Sequence, residues 1–552
     1  MSDAIKDQAT SASTNSGMES KPQSLRYFLN ETSAFVRIVE VLANRGPLTE
    51  ADVAQTVSMA EELASLGTYH ALSITDNSGG YPKIAPEALG LMFQERKQDV
   101  IIHLSCKDMN RNGLESRAWS IASAGFENVL CLSGDCPAVG YRGVLPKPVF
   151  DMDAVALLEM LTQMNQGFRI PNPRRGEAPT LPPTQFFLGA AVSPFKQHER
   201  ELLPQYFKLT RKIASGADFI ITQTGYDSRK FDELLKYMAL KELRVPVIAN
   251  VYVLTVALAR YFNRGTVAGV VVSDELKALA EQQSRSKDRG KKFFHEFAAK
   301  QIAVARSLGY RGAYLSGHMT PEECHAIFKL AKSFSPEDCR AFAREIQFPQ
   351  PGEFYLFEPD PDTGLRSNEL NRAYVASKTP AERSRLRANT SLDYKFSRLV
   401  HANVFENKTT GFSAAKRFYS WIDKSPAAKH FFHVLEQMTK VPMFECRDCG
   451  DCSLTEIAYL CPESQCAKNQ RNGPCGGSHQ GICETGEKPC IWARAYERLE
   501  AYGEEESMLN LSTILKNCDL EGTSGWANYF LGRDHRAMST EEPAEKPEAL
   551  TT

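Results

Sequence analysis

Eight short apolar runs recur along the chain: Val36–Leu42, Ala71–Thr75, Val100–Ser105, Asn128–Ser133, Phe186–Ala191, Asp218–Thr222, Val245–Val251 and Ala313–Ser316. Most are nearly continuous in Val, Ile, Leu and Ala, as parallel strands covered on both faces require. Helical periodicity fills the intervals, most clearly at Glu50–Leu66, Glu115–Ala124, Leu202–Ser215, Ser228–Leu243 and Lys292–Leu308. Eight β-then-α units predict a (β/α)8 TIM-type barrel. An open doubly wound sheet would share the alternation, but no GxGxxG or Walker-type phosphate loop occurs.

Polar residues stand at the C-terminal ends of the runs: Glu40, Thr75-Asp76-Asn77, His103, Gly134-Asp135 and Gln223. In a barrel these positions ring the mouth where active sites are built. Taken singly, each could equally be a turn or cap residue. Two Pro-rich insertions, Pro137–Pro148 and Ile170–Pro183, lengthen the connection between the fourth and fifth strands. Pro349–Pro361 reads as a linker, followed by a charged, mostly helical stretch from Asn368 to Lys440 and then a cysteine-rich segment. The expected organisation is a tail over 1–24, a barrel over 25–345, a linker over 346–367, a helical and cysteine-rich domain over 368–520, and a second tail over 536–552.

Composition narrows this little further. The 552 residues carry a formal net charge of −2, which gives no reason to expect nucleic acid or an anionic membrane as partner. No apolar run approaches the roughly 18–20 residues of a membrane span. The N-terminus through Pro22 is polar and lacks an apolar h-region, so it reads as a disordered tail rather than a signal peptide. A cytoplasmic, reducing compartment is the expectation.

In such a compartment disulfides are disfavoured. Yet eight of the 14 cysteines fall between Cys446 and Cys490: Cys446, Cys449, Cys452, Cys461, Cys466, Cys475, Cys483 and Cys490. Thiols packed so closely point to metal. Zinc favours CxxC pairs, four thiolates per ion. A CxxCxxC run with a later cysteine followed by proline, as at Cys461-Pro462, is closer to iron–sulfur ligation, and a [4Fe–4S] cluster is preferred to zinc here.

Several barrel motifs together resemble the methylenetetrahydrofolate reductase family. They are Glu40, SITDNSGG (Ser73–Gly80), VIIHLSCKD (Val100–Asp108), VLCLSGDCP (Val129–Pro137) and LTRKIASGADFIITQ (Leu209–Gln223). The resemblance implies FAD at the barrel mouth and reduction of 5,10-methylenetetrahydrofolate to 5-methyltetrahydrofolate. Glu40 matches the family's proton donor, whose burial would raise its pKa. Asp135 matches the aspartate beside flavin and folate, and Gln223 a folate-binding glutamine. Thr75, His103 and Gly134 match flavin-contacting positions; His103 could also be a core histidine. Arg211 and Lys212 match basic residues near the FAD phosphates, or form a solvated helix face. Three positions depart from the family. Ser133 stands where an arginine often precedes the GD pair, a second glutamine is missing from Val251–Arg260, and a late arginine has no match near Gly317-His318-Met319.

The cysteine segment resembles the C-terminal domain found with some of these reductases, through CRDCGDCSL (Cys446–Leu454), CPESQCAKNQRNGPCGG (Cys461–Gly477), GICE (Gly481–Glu484) and KPCIW (Lys488–Trp492). The implied electron donor is NADH or a one-electron carrier protein, and a homo-oligomer is possible. Two other functions fit the same pattern: a folate-dependent methyl transferase on the same barrel, and a metal-bearing electron-transfer subunit.

Overall fold

The computed structural model describes residues 24–538, apart from 68, 168–179, 266 and 487. The two tails, except Ser24 and 536–538, and most of the second Pro-rich insertion therefore lie outside the described residues.

Eight parallel strands close into a barrel: β1 (Val36–Val41), β2 (Ala71–Ile74), β3 (Val100–Ser105), β4 (Asn128–Leu132), β5 (Phe187–Val192), β6 (Phe219–Thr222), β7 (Val247–Tyr252) and β8 (Gly312–Ser316). β8 pairs back onto β1, with Val36 opposite Gly312 and Ile38 opposite Tyr314. All eight apolar runs are strands, shifted by two residues at most.

Strand alternation divides the core in two. Val36, Ile38, Ala71, Ile101, Phe187, Phe219 and Ile248 face inward and fill the lower barrel, with Leu25 and Leu29 of the helix Leu25–Asn30 packed among them. The outward residues join the surrounding helices in a larger core. Toward the C-terminal ends the same inward register turns polar, at Glu40, His103, Asn250 and Ser316. This switch makes the upper barrel a site rather than a plug.

The helices start where local chemistry dictates. Thr49 and Asp52 form a capping box ahead of Glu50–Ser65, as Thr320 and Glu323 do ahead of Pro321–Ser333. Two helices weakly marked in the pattern, Pro86–Gln94 and Ala154–Gln166, complete the ring. Asp153 caps the second by accepting from the N–H groups of Val155 and Ala156.

The stretch read as a linker is ordered against the barrel. Strands β9 (Phe357–Pro359) and β10 (Arg366–Leu370) form an antiparallel pair. Glu233 and Asp232 of the helix Ser228–Leu240 accept from the backbone N–H groups of Leu356 and Arg366. Those acceptors leave few backbone groups to water and hold the segment down.

Helices Leu392–Val400, Thr410–Ile422 and Pro426–Phe444 precede the cysteines, and the helix Ile491–Glu500 follows them. Ile457, Trp492 and Tyr496 belong to the same apolar core as the barrel helices. The helix Glu199–Ala214 is consequently buried over Glu201–Leu209, between the barrel and the C-terminal region. No helix among the described residues is long and apolar enough to cross a membrane.

Candidate active site at the barrel mouth

A cavity of about 660 Å³ opens at the C-terminal ends of the strands. Glu40, Thr75, His103, Gly134, Asp135, Lys212 and Gln223 all line it. Arg211 does not.

Glu40 ends β1 on the inward face. Its Oε2 accepts a hydrogen bond of 2.9 Å from the phenol of Tyr314, an inward residue of β8. Burial raises its pKa above the ordinary carboxylate value, against the opposing pull of the Tyr314 hydrogen bond and the Lys83 charge. Lys83 itself donates to Ser78 in the loop after β2.

His103, on β3, shares a 2.8 Å hydrogen bond between its Nε2 and the Ser73 hydroxyl of β2. Burial pushes its pKa down to about 4, so the ring is neutral at pH 7. Thr75 accepts from the N–H of Ala43 at 3.4 Å. Asp76 is structural: it accepts from the Ser105 N–H and hydroxyl and pairs with Arg117 at 3.1 Å.

Asp135 accepts from the N–H of Gly79 at 2.8 Å, tying the loop after β4 to the loop after β2. The two loops meet so closely that a Cβ on Gly80 would stand 2.2 Å from the Cys136 carbonyl. Gly134 has φ +86°, and a Cβ there would meet Lys107 and Ser105 at 3.1 Å. Only glycine fits both conformation and space.

Gln223 follows β6. Its Nε2 donates to the Ala268 carbonyl at 3.3 Å, and its Oε1 accepts from the Thr224 N–H. Across the cavity, Asn250 accepts from Ser316, and Tyr252, Tyr261 and Phe262 complete a mostly aromatic wall. Lys212 donates to the Ala191 carbonyl at 2.6 Å, and burial brings its pKa down to about 7.

Arg211 is turned away, donating to Asn472 and to the Ser512 carbonyl, both at 3.1 Å. The C-terminal region reaches the mouth through the same segment. Lys468 donates to the Gly134 carbonyl at 2.8 Å and pairs with Glu484 at 2.7 Å. Ser133, in place of an arginine, donates to Gln470 at 3.2 Å. Lys468, Cys475 and Glu484 line the barrel cavity.

The sequence reasoning missed Tyr314, Asn250 and this C-terminal wall. The first two were legible, because they share the inward register of Ile38 and Ile248. The wall depends on docking between distant segments and leaves no local trace.

The eight clustered cysteines are free thiols in two groups. Cys446, Cys449, Cys452 and Cys461 line one enclosed space beside the helix Pro426–Phe444. Cys466, Cys475, Cys483 and Cys490 are neighbours of one another in the second group, of which Cys475 lines the barrel mouth. Burial pushes the Cys449 and Cys490 thiols up to about 11. Among the described residues no three thiol sulfurs lie within 4.8 Å of one another.

Comparison with known proteins covers both regions. A family model described as methylenetetrahydrofolate reductase matches residues 40–305, and one described as methylene-tetrahydrofolate reductase C terminal matches residues 425–519. The protein named methylenetetrahydrofolate reductase 1 from Schizosaccharomyces pombe is 22% identical over 263 residues, covering 47% of this chain and 40% of that protein. The chain thus spans less than half the length of that relative. A solved structure from Clostridium thermocellum, described as an uncharacterized protein that binds two copies of 5-methyl-5,6,7,8-tetrahydrofolic acid, aligns over 54% of this chain and 94% of its own at 15% identity and TM-score 0.38.

Proposed function

The chain belongs to the methylenetetrahydrofolate reductase family, and on that premise we propose that it reduces 5,10-methylenetetrahydrofolate to 5-methyltetrahydrofolate with a bound flavin. The carrying observation is Glu40: a carboxyl with a raised pKa, held by Tyr314, at the mouth of a ligand-sized cavity.

The residues present fit a flavin ring. Thr75, the neutral His103 and the Gly134-Asp135 turn line one side, where the two loops approach too closely for a side chain at Gly80. The buried Ser193 Oγ and Gln205 Nε2, also at the cavity, have no hydrogen-bond partner among the described residues and suit the polar edge of a ligand. Lys212 reaches the same cavity and would face the flavin's phosphate side, with Arg211 one residue away behind the C-terminal segment. Bound FAD would supply the hydride.

The chain's own residues do the rest. Glu40, protonated at its carboxyl, gives its proton to the bridging ring nitrogen, so that the carbon–nitrogen bond opens toward a cationic one-carbon unit. Asp135 places a negative charge where that cation develops. Gln223 and Asn250 offer amide groups to the pterin's hydrogen-bonding edge. Hydride plus proton together convert the methylene bridge to a methyl group.

The eight thiols support an iron–sulfur cluster as the second cofactor, with a one-electron carrier as the source of electrons. Glu40→Gln is the direct test. We expect folate reduction to fall roughly 10²–10⁴-fold while the flavin stays bound and reducible. Turnover within a few-fold of the unaltered protein would remove Glu40 from the mechanism.

A further inference from the structure

We propose that the C-terminal region holds two separate tetrathiolate iron–sulfur centres, an outer one on Cys446, Cys449, Cys452 and Cys461 and an inner one on Cys466, Cys475, Cys483 and Cys490, the inner one forming part of the barrel mouth. This deepens the reading above, since it assigns the ligands of the cluster chemistry proposed there.

The partition rests on which thiols face one another. Cys446 faces Cys452 and Cys461, and Cys449 faces the same two. Cys466 faces Cys475 and Cys490, and Cys490 faces Cys475 and Cys483. The order along the chain follows the same division: the first four cysteines make one set and the last four the other.

The spacing is wider than the simpler metal needs. Four thiolates on one zinc, with bonds of about 2.3 Å, stand roughly 3.8 Å apart. No three thiol sulfurs among the described residues come within even 4.8 Å of one another. A cube of iron and sulfide holds its thiolates farther apart than a single zinc does.

Charge supports the same conclusion. A cluster with four thiolates is anionic, and each set faces two buried cations. Lys440 lies against Cys452 and Cys446, and Arg471 against Cys449. Lys196 and Lys468 lie against Cys475. Lys196 is 2% exposed, and its Nζ donates to the carbonyls of Gly476 and Ser478. A buried ammonium so placed calls for a nearby negative charge, and an anionic cluster on Cys475 and Cys490 would supply it alongside Glu201 and Glu484. Backbone N–H groups aim at sulfur in both sets: Asp448 at Cys446, Gln470 at Cys466 and Gly477 at Cys475, over 3.4–3.5 Å. Such bonds steady anionic cluster sulfurs and tune their potential.

Position gives the two centres different roles. Cys475 lines the cavity that Glu40 and Asp135 also line, whereas the first set lines a separate space. The segment Lys468–Arg471 runs between them, with Gln470 touching Ser133 of the GD turn and Arg471 bonded to Ser453. Two one-electron centres held by these thiols would together store the two electrons of one hydride equivalent, supplied from outside by a one-electron carrier.

The test uses full-length protein purified without oxygen, with iron, acid-labile sulfide and zinc counted per chain and the reduced state read by electron paramagnetic resonance. We expect about eight iron and eight sulfide, four of each per cluster. Cys452→Ser and Cys490→Ser should each remove about half of the iron and leave one signal. Only Cys490→Ser should also shift the midpoint potential of the bound flavin. Iron and sulfide near four per chain, or stoichiometric zinc without sulfide, would overturn the proposal without any variant having to fold. So would a variant of native circular dichroism that loses all its iron or none. A protein with two clusters and no flavin would instead defeat the reductase reading and leave the partition standing.

Discussion

The phenol of Tyr314 donates to Oε2 of Glu40 at 2.9 Å across the β8–β1 seam that closes the barrel. The bond favours the carboxylate, while burial favours the acid and dominates. A proton donor is active below its pKa, so turnover should fall as pH rises through that of Glu40. Tyr314→Phe removes the partner that stabilises the ionised form and raises the pKa further. The alkaline limb of the folate-reduction profile should move to higher pH, with flavin binding unchanged. A limb that stays in place or moves toward acid would detach Tyr314 from Glu40 ionisation.

Asp135 holds the Gly79 N–H at 2.8 Å and lines the cavity. Asp135→Asn keeps an acceptor for that bond and removes only the charge. A reduced flavin is more anionic than an oxidised one, so its midpoint potential should become more positive. Folate turnover should drop roughly 10²-fold, because the developing cation loses its counter-charge. Spectroelectrochemical titration reads the first effect and steady-state kinetics the second. If neither moves, Asp135 serves only to join the two loops.

Much of this site could be read along the chain, and the reason is geometric. Glu40, Thr75, His103 and Gln223 each lie on the inward register in the C-terminal half of an apolar strand or just beyond it, where a period of two puts them at the mouth. The resemblance matched Lys212 to a basic residue near the FAD phosphates, and the side chain lines the cavity. Arg211, one residue earlier, points the other way, toward Asn472 and Ser512. Nothing local to the helix could reveal this, since its outer face is covered by residues more than 250 positions later. The 346–367 stretch likewise makes contacts that its own sequence does not announce. Its prolines suggest a linker, but its backbone N–H groups find acceptors on Asp232 and Glu233.

His535 closes the C-terminal region. Its Nδ1 lies 2.5 Å from Asp451, and Arg536 bonds Glu456 and Asp534 beside it. Asp451, Asp534 and His535 lie close enough for a metal, but the pairing with a cationic imidazole and Arg536 already satisfies their charge. Burial works against the imidazolium, yet the bonds to Asp451 and Glu456 raise its pKa from 6.5 to about 9. A folded pKa above the unfolded one gives stability that is complete below about 6.5 and lost as pH rises through about 9. His535→Gln should therefore speed amide exchange over 525–538 by on the order of 10²-fold at pH 6, with the difference shrinking above pH 9. An effect independent of pH would mean that His535 acts by packing alone.

The electron source is the remaining question, and the cavity wall bears on it. The family's usual donor, a reduced nicotinamide, would occupy the pocket that folate later fills. The side of the cavity formed by β7 and the helix Val256–Asn263 presents Tyr252, Leu258, Tyr261 and Phe262, with Asn250 as its amide. Neither the glutamine nor the late arginine expected for a nicotinamide stands there. On the opposite side, Lys468 and one thiol of the second set, Cys475, line the same cavity. A donor that delivers electrons singly through a cluster held by the second set of thiols would need no room in the folate pocket. We therefore expect reduced viologen to reduce the flavin faster and more completely than excess NADH, each followed by anaerobic stopped flow. In Glu40→Gln, which keeps the flavin reducible without turning folate over, excess methylenetetrahydrofolate should slow the NADH reaction, which competes for the pocket, and leave the viologen reaction unaffected. Replacing Cys446, Cys449 and Cys452 by serine should slow the viologen reaction most. Fast, complete reduction by NADH that persists in that variant would sink the idea and leave the cysteine-rich region as scaffold for the barrel mouth.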